Sequence, residues 1–365
     1  MPLLQKLNNL LAEISLKAKY RTARSRLFTS MIVLSFLLHA GNVFCSDSAL
    51  NWNRISGPIP VVNQSPIQLL FLQPPPDRAE IYPQNKFSVN LINSITNTLL
   101  WSQSNQYLGY IDMEMIRSSL EVKYGLCNRF EFGMSLPFIY GDGGFLDHGI
   151  LEFEKLFNAE RDLRDKGDKA GISYKYNYFV KKNDKVFIQG KEGSSGLGDV
   201  SLRVKGKILD EGEFMPYLSA RASIKIPTGD EDRAFGSGEV DYGLGLLLQK
   251  TVKNFTTYFN ADVIFPGDAY DDVDVSLTPF YDIILGTEYK LSEGLSGLVQ
   301  LSYVSRPFEH TDLDLLEHEI IDVLLGLSYV TKTGISIQGG FIEDFFGSSD
   351  AGADVTFFLN IGKNF

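Results

Sequence analysis

Cysteine and histidine are nearly absent: two and four among 365 residues. That excludes a disulfide scaffold and leaves little for a His/Cys metal centre. Long hydrophobic runs are missing as well. The longest, residues 27–38, has twelve residues, too few to cross a bilayer as a helix. With a mean hydropathy of −0.05, a helical membrane bundle is excluded. Positive charge is in deficit. The chain has 34 Lys and Arg against 45 Asp and Glu, net −11, so no nucleic-acid partner is expected. What is present in quantity is Tyr (17), Phe (26) and Gly (33), a composition of β-structure and turns rather than of disorder.

Residues 1–46 read as a secretory signal. Lys6, Lys17, Lys19, Arg21, Arg24 and Arg26 face one acid, Glu13, ahead of the apolar run and a small, polar exit. Cleavage is expected after Cys45 or Ser46. Phe44 argues against lipidation of Cys45, because a lipoprotein signal wants a small residue there. Residues 47–85 form a Pro-rich extended segment. Pro58, Pro60, Pro66, Pro74, Pro75 and Pro76 lie within residues 57–76, and proline removes a backbone donor, so this stretch cannot be a central strand. Yet Ile67, Leu69, Leu70, Phe71 and Leu72 need burial. Two placements follow: a plug inside a cavity, or packing on the outside of the next domain.

From residue 86 on, apolar and polar residues alternate. Leu218, Ala220, Ala222, Ile224 and Ile226 interleave with Ser219, Arg221, Ser223 and Lys225. Twelve strands are expected: 86–98, 110–124, 129–140, 197–209, 214–226, 238–251, 255–266, 275–291, 294–306, 318–331, 334–345 and 353–365. Short connections alternate with long ones, as in bacterial outer-membrane barrels. The fold class is therefore all-β: a transmembrane up-and-down antiparallel barrel of about twelve strands over residues 86–365. The long external insertion 141–196 carries a helical pattern over residues 147–165. Phe357, Leu359, Ile361 and Phe365 share one face of the last strand. That pattern is expected to be read by the barrel-assembly machinery, and outer-membrane lipid and lipopolysaccharide are the other expected partners.

Alternation also assigns a lumen. Arg117, Lys123, Arg203, Lys205, Arg221 and Lys225 would form a basic wall, and Asp241, Asp262, Asp282 and Asp322 an acidic one. Arg or Lys facing lipid at mid-bilayer would cost about 2–4 kcal/mol each. Two interiors remain open: a water-filled pore with a transverse field, or charges paired in a filled barrel. The external loops are acidic. Asp268, Asp271, Asp272 and Asp274 could hold Ca²⁺ or Mg²⁺ at the surface through oxygen ligands; no other cofactor is expected.

Three motifs, GLGDVSLRVKGK (196–207), IKIPTGD (224–230) and GSGEVDYGLGL (236–246), resemble outer-membrane channel proteins linked to aromatic-compound degradation. Residues 57–66, reading GP-x-P-V-x-N-Q-x-P, and the GGFLD stretch at 143–147 resemble an uncharacterised bacterial barrel family, a domain of unknown function. That resemblance spans about residues 55–365. It implies a fold and an outer-membrane location but no activity. GLGD and PTGD also suit loop and turn chemistry. The first function expected is passive uptake of a small, hydrophobic or aromatic molecule. An outer-membrane hydrolase, with His310, Asp312 and His318 at the rim, and a closed structural or adhesive barrel are the alternatives.

Overall fold

The computed structural model describes residues 56–143, 176–344 and 351–365. All of them belong to one compact unit, Ala49–Phe365. Fifteen strands occur among the described residues: β1 (Phe87–Gln103), β2 (Tyr107–Cys127), β3 (Phe130–Asp142), β4 (Asn177–Lys182), β5 (Lys185–Gln189), β6 (Ser194–Leu197), β7 (Val200–Leu209), β8 (Tyr217–Ile226), β9 (Asp241–Val252), β10 (Phe255–Phe265), β11 (Phe280–Lys290), β12 (Leu295–Val304), β13 (Ile320–Val330), β14 (Ile335–Asp344) and β15 (Val355–Asn364). Twelve of them close a ring. β1, β2 and β3 pair in order, β3 pairs with β7, and β7 to β15 follow in sequence until β15 returns to β1. Closure leaves no unpaired edge in the wall.

Alternation is what makes this wall. Leu285, Leu301, Leu327, Leu359 and Ile361 point out and are exposed, while Ile284, Gln300, Ser328 and Asn360 point in and are buried. Aromatic residues mark both rims of the apolar band. Tyr124, Phe255, Tyr289, Tyr329 and Phe365 lie at the short-turn end; Phe138, Tyr242 and Tyr281 lie at the other. Tyr281 and Tyr289 are about 26 Å apart along β11 at about 3.3 Å per residue. At a strand tilt of about 35–45° this is a height of about 20 Å, of the order of the roughly 25 Å apolar band of an outer-membrane barrel. The short-turn end is taken as periplasmic.

Two expectations need correction. The connection expected at 99–109 shrinks to residues 104–106, because β1 and β2 run on past the membrane. Their extension is covered by β4, which pairs Tyr107–Asp112 with Asn177–Lys182 and carries β5 as a hairpin. The insertion 141–196 is thus partly β: its described parts are β4, β5 and β6, and β6 continues the β3 ladder. The helix expected at 147–165 and the signal at 1–46 lie outside the described residues.

Residues 56–85 run inside the ring as an up-and-down hairpin. Ser56 and Gly57 start beside Glu288 and Gln338, near the short turns. A 3-10 turn at Gln68–Leu70 reverses the chain at the external end. Tyr82 then returns to Asn364 at the periplasmic end. The tip residues Ile67, Leu70, Phe71 and Leu72 join the main apolar cluster. External-loop residues Tyr270, Phe308, Leu313 and Leu315 close over them.

Candidate functional site

The site is the lumen, and a segment of the chain's own backbone occupies it. Proline limits the donors of residues 56–82, so carbonyls dominate, and the wall supplies cations to meet them. Arg221 Nη1 donates to the Pro75 carbonyl at 2.7 Å. Lys225 Nζ donates to the Leu70 carbonyl at 2.6 Å, and Lys205 Nζ to the Arg78 carbonyl at 2.9 Å. Carboxylates and amides meet the remaining N–H groups. Leu72 donates to Asp241 at 2.7 Å, Tyr82 to Glu131 at 2.9 Å, Gly57 to Glu288 at 3.3 Å and Ile59 to Gln300 at 3.0 Å. Asn63 Nδ2 donates to Asp322 at 2.7 Å. Bonds from Ser94, Lys123, Asn260 and Gln338, and one that Asn364 accepts from Tyr82, complete the circuit. Every strand of the ring thus holds the plug through at least one hydrogen bond.

Side-chain charges are paired as well. Lys123 and Lys205 both reach Asp77, Lys205 also reaches Glu131 at 3.2 Å, and Arg203 holds Glu121. Lys225 lies between Asp199 at 2.9 Å and Asp241 at 3.1 Å. Arg221 grips Asp262 at 2.7 and 2.6 Å.

The lumen-lining residues expected from alternation can now be placed. Lys123, Arg203, Lys205, Arg221, Lys225, Asp241, Asp262, Asp282 and Asp322 are inside and paired or buried. Arg117 is inside too, yet its guanidinium has no ion pair among the described residues. The transverse field between two opposed walls is corrected: Lys123, Arg203, Lys205, Arg221 and Lys225 each meet a carboxylate at contact distance, while Asp282 and Asp322 make no ion pair among the described residues. Buried charges must be paired to be tolerated, and strand periodicity gives a residue's face but not its neighbour. Asp282 differs from the rest, since its Oδ1 accepts no hydrogen bond from the described residues.

Sequence reasoning passed over Asp77 and Asp199. Asp77 follows three prolines and was read only as part of a linker. Asp199 closes the GLGD motif. Its Oδ1 accepts the Thr228 and Gly229 amides at 3.0 and 2.8 Å, and its other oxygen meets Lys225. A Cβ on Gly236 would meet the Asp199 carboxylate at 2.3 Å. GLGD, PTGD and GSG therefore form one clasp on the external rim of β7 and β8.

The surface acidic group is also rearranged. Asp272 bonds Lys185 at 2.7 Å, and Asp274 bonds Lys182 at 3.4 Å, so two of these carboxylates pair with β4 and β5. Among the described residues no three His, Cys, Asp or Glu come together as a metal group.

Among solved structures, the barrel is similar to the COG4313 outer membrane channel from Pseudomonas putida F1. The TM-score is 0.51 at 14% identity, over 79% of this chain and 98% of that one, which shows a shared fold. Two others are more distant. The toluene transporter TodX of P. putida gives TM-score 0.39 at 11% identity over 78% and 91%. The translocator domain of autotransporter NalP from Neisseria meningitidis gives 0.41 at 10% over 78% and 90%. No curated protein matches the chain in sequence. One family model, described as a protein of unknown function (DUF3187), matches residues 34–365.

Proposed function

We infer the function of this chain, which belongs to the DUF3187 family, from its barrel: it is a plugged outer-membrane channel for passive passage of a small molecule. One observation carries the reading. The interior is polar and charged, and a hydrogen-bonded hairpin fills it rather than the strands' own side chains. A barrel built only as a scaffold gains from an apolar core, since replacing buried ion pairs by packed apolar groups is often neutral or stabilising. A lumen that must at times be wet has to keep its polar lining. The external cap of Phe71, Tyr178, Phe235 and Phe308 favours a solute with an apolar or aromatic body.

Export through a cleaved signal fits a hairpin whose two limbs both end at the short turns. The rim histidines favour passage over catalysis: His310 is 91% exposed beside Glu309, and His318 lies beside Asp314. Surface Ca²⁺ or Mg²⁺ would serve only to bridge lipopolysaccharide to the acidic loops.

Planar-bilayer conductance tests the reading. The full chain should conduct in brief openings, and a variant lacking residues 56–82 should conduct steadily. Should that deletion fail to assemble, a cross-link decides: Asn63→Cys with Asp322→Cys, in a Cys127→Ser background, should silence the openings until reductant is added. A folded, heat-modifiable deletion variant that conducts nothing would establish the closed-barrel alternative instead.

A further inference from the structure

We propose that solute passes the plug on one side only, along the inward face of β2, and that the Glu121–Ser135–Arg203 cluster is the partition that opens and closes this route. The proposal rests on the channel reading above and names its path. Two cavities flank the plug. The lower one, about 50 Å³, lies at the periplasmic end between both plug limbs and the wall, against Asp77, Glu121, Lys123 and Asn364. The upper one, about 40 Å³, lies under the external cap against Phe71, Arg117, Ser135 and Phe235. Each has room for a few water molecules. Pro75 lines both, so they are neighbours on either side of it.

Between them stands a single layer of side chains. Glu121 and Ser135 are register partners on β2 and β3. Glu121 lines the lower cavity and Ser135 the upper. Ser135 donates to Glu121 Oε1, and Arg203 donates to Glu121 Oε2 and, at 2.8 Å, to Ser135.

This cluster is unlike the other interior ion pairs. Lys123, Lys205, Arg221 and Lys225 each hold the plug, at Asp77, the Arg78 carbonyl, the Pro75 carbonyl and the Leu70 carbonyl. Arg203, Glu121 and Ser135 bond only to one another. They can separate without breaking a plug hydrogen bond, although Arg203 also attracts Asp77, whereas opening at Lys123, Lys205, Arg221 or Lys225 breaks one.

Arg117 sets the solute's chemistry. It makes no ion pair among the described residues, although Glu121 on the same strand attracts it, and it lines the upper cavity beside Leu69, Phe71 and Ile139. A small organic anion with an apolar body, such as an aromatic or short aliphatic carboxylate, would pair with Arg117. It would then compete with Glu121 for the Arg203 guanidinium.

Single-channel recording on the full chain, with Cys127→Ser as the background, provides the test. E121Q combined with R203M removes the pair without leaving a lone charge, and the current should rise several-fold. Ser135→Cys should lose half or more of its current on reaction with a cationic methanethiosulfonate. R117Q should move the reversal potential in a KCl gradient towards cations. R221M with D262N, on another sector, should leave the Ser135→Cys block in place. Should the double variant fail to fold, the Ser135→Cys block decides alone. If the plug-deleted barrel conducts while Ser135→Cys reacts without effect and E121Q/R203M leaves the current unchanged, the route lies elsewhere and the channel reading survives. If the plug-deleted barrel is silent, the channel reading falls and this route falls with it.

Discussion

Arg221 and Asp262 sit two strands apart, on β8 and β10, and still form a two-point ion pair, with Nε to Oδ1 at 2.7 Å and Nη2 to Oδ2 at 2.6 Å. The residue between them in register is Gly245 on β9. A Cβ there would meet Asp262 Oδ1 at 2.0 Å. The missing side chain lets the guanidinium lie flat over the intervening strand. Gly245→Ala should therefore break the pair. Separating one partner of a buried pair costs about 3–5 kcal/mol. The heat-modifiable gel shift should move to lower temperature. A shift no larger than that of an alanine placed at outward-facing Leu246 would refute the argument.

Replacing Arg221 and Lys225 together by Ser tests the pairing more broadly. The change leaves Asp199, Asp241 and Asp262 buried without a cation. The expected result is a large loss of thermal stability rather than a change of selectivity in an otherwise sound barrel. A stable double variant would mean that water already screens these carboxylates.

Acid should loosen the plug through Asp77. Protonating its carboxylate would break the ion pairs with Lys123 and Lys205 that hold the return limb. Protease sensitivity of residues 56–82 in detergent-solubilised barrel should rise below about pH 4. Asp77→Asn should show that sensitivity already at neutral pH, with a flatter acid response. Equal acid profiles for both proteins would remove Asp77 from the account.

The terminal strand offers a test of assembly. Phe365 stacks on Phe87 at 4.5 Å where β15 closes on β1, and Phe357, Leu359 and Ile361 share its outward face. Deleting Phe365 should lower the assembled fraction while the assembled material melts nearly as before. An unchanged yield in the outer membrane would show that the machinery reads other residues.

Orientation can be checked at two turns. Asn105→Cys should react with an impermeant thiol reagent on intact cells, and Asn254→Cys only after permeabilisation. Both belong in a Cys127→Ser background, although Cys127 is itself buried and a poor reporter. Labels in the opposite order would invert the barrel.

The wall was legible because one physical rule wrote it: a residue facing lipid must be apolar, and its neighbours face the other way. That rule finds Leu285 and Tyr281 and fixes which side Arg221 takes. It is silent about height and partner. Nothing in the period-two pattern says that Arg221 meets Asp262 over Gly245, or that Lys205 and Lys123 converge on Asp77. Those contacts depend on strand stagger and on a plug path that has no periodicity. The extension of β1 and β2 was hidden for a similar reason. Beyond the membrane the outward face no longer has to be apolar, so alternation fades between Leu99 and Tyr110. Asp272 and Asp274 resembled a cation site while their partners, Lys185 and Lys182, lay some ninety residues earlier in the chain.

The hairpin path of residues 56–85 has a mechanical consequence. Both limbs end at the same mouth, so the segment is a loop laid into the lumen and not a thread drawn through it. A pull on the limb at Ser56 would peel it away bond by bond, starting with Glu288 and Gln300 and reaching Asp322 before the tip. Such unzipping meets resistance from one contact at a time. A rigid stopper held by the same bonds would have to break them all at once. The return limb, fixed to β1 at Phe87, would remain as a tether, so an emptied barrel keeps its stopper within reach.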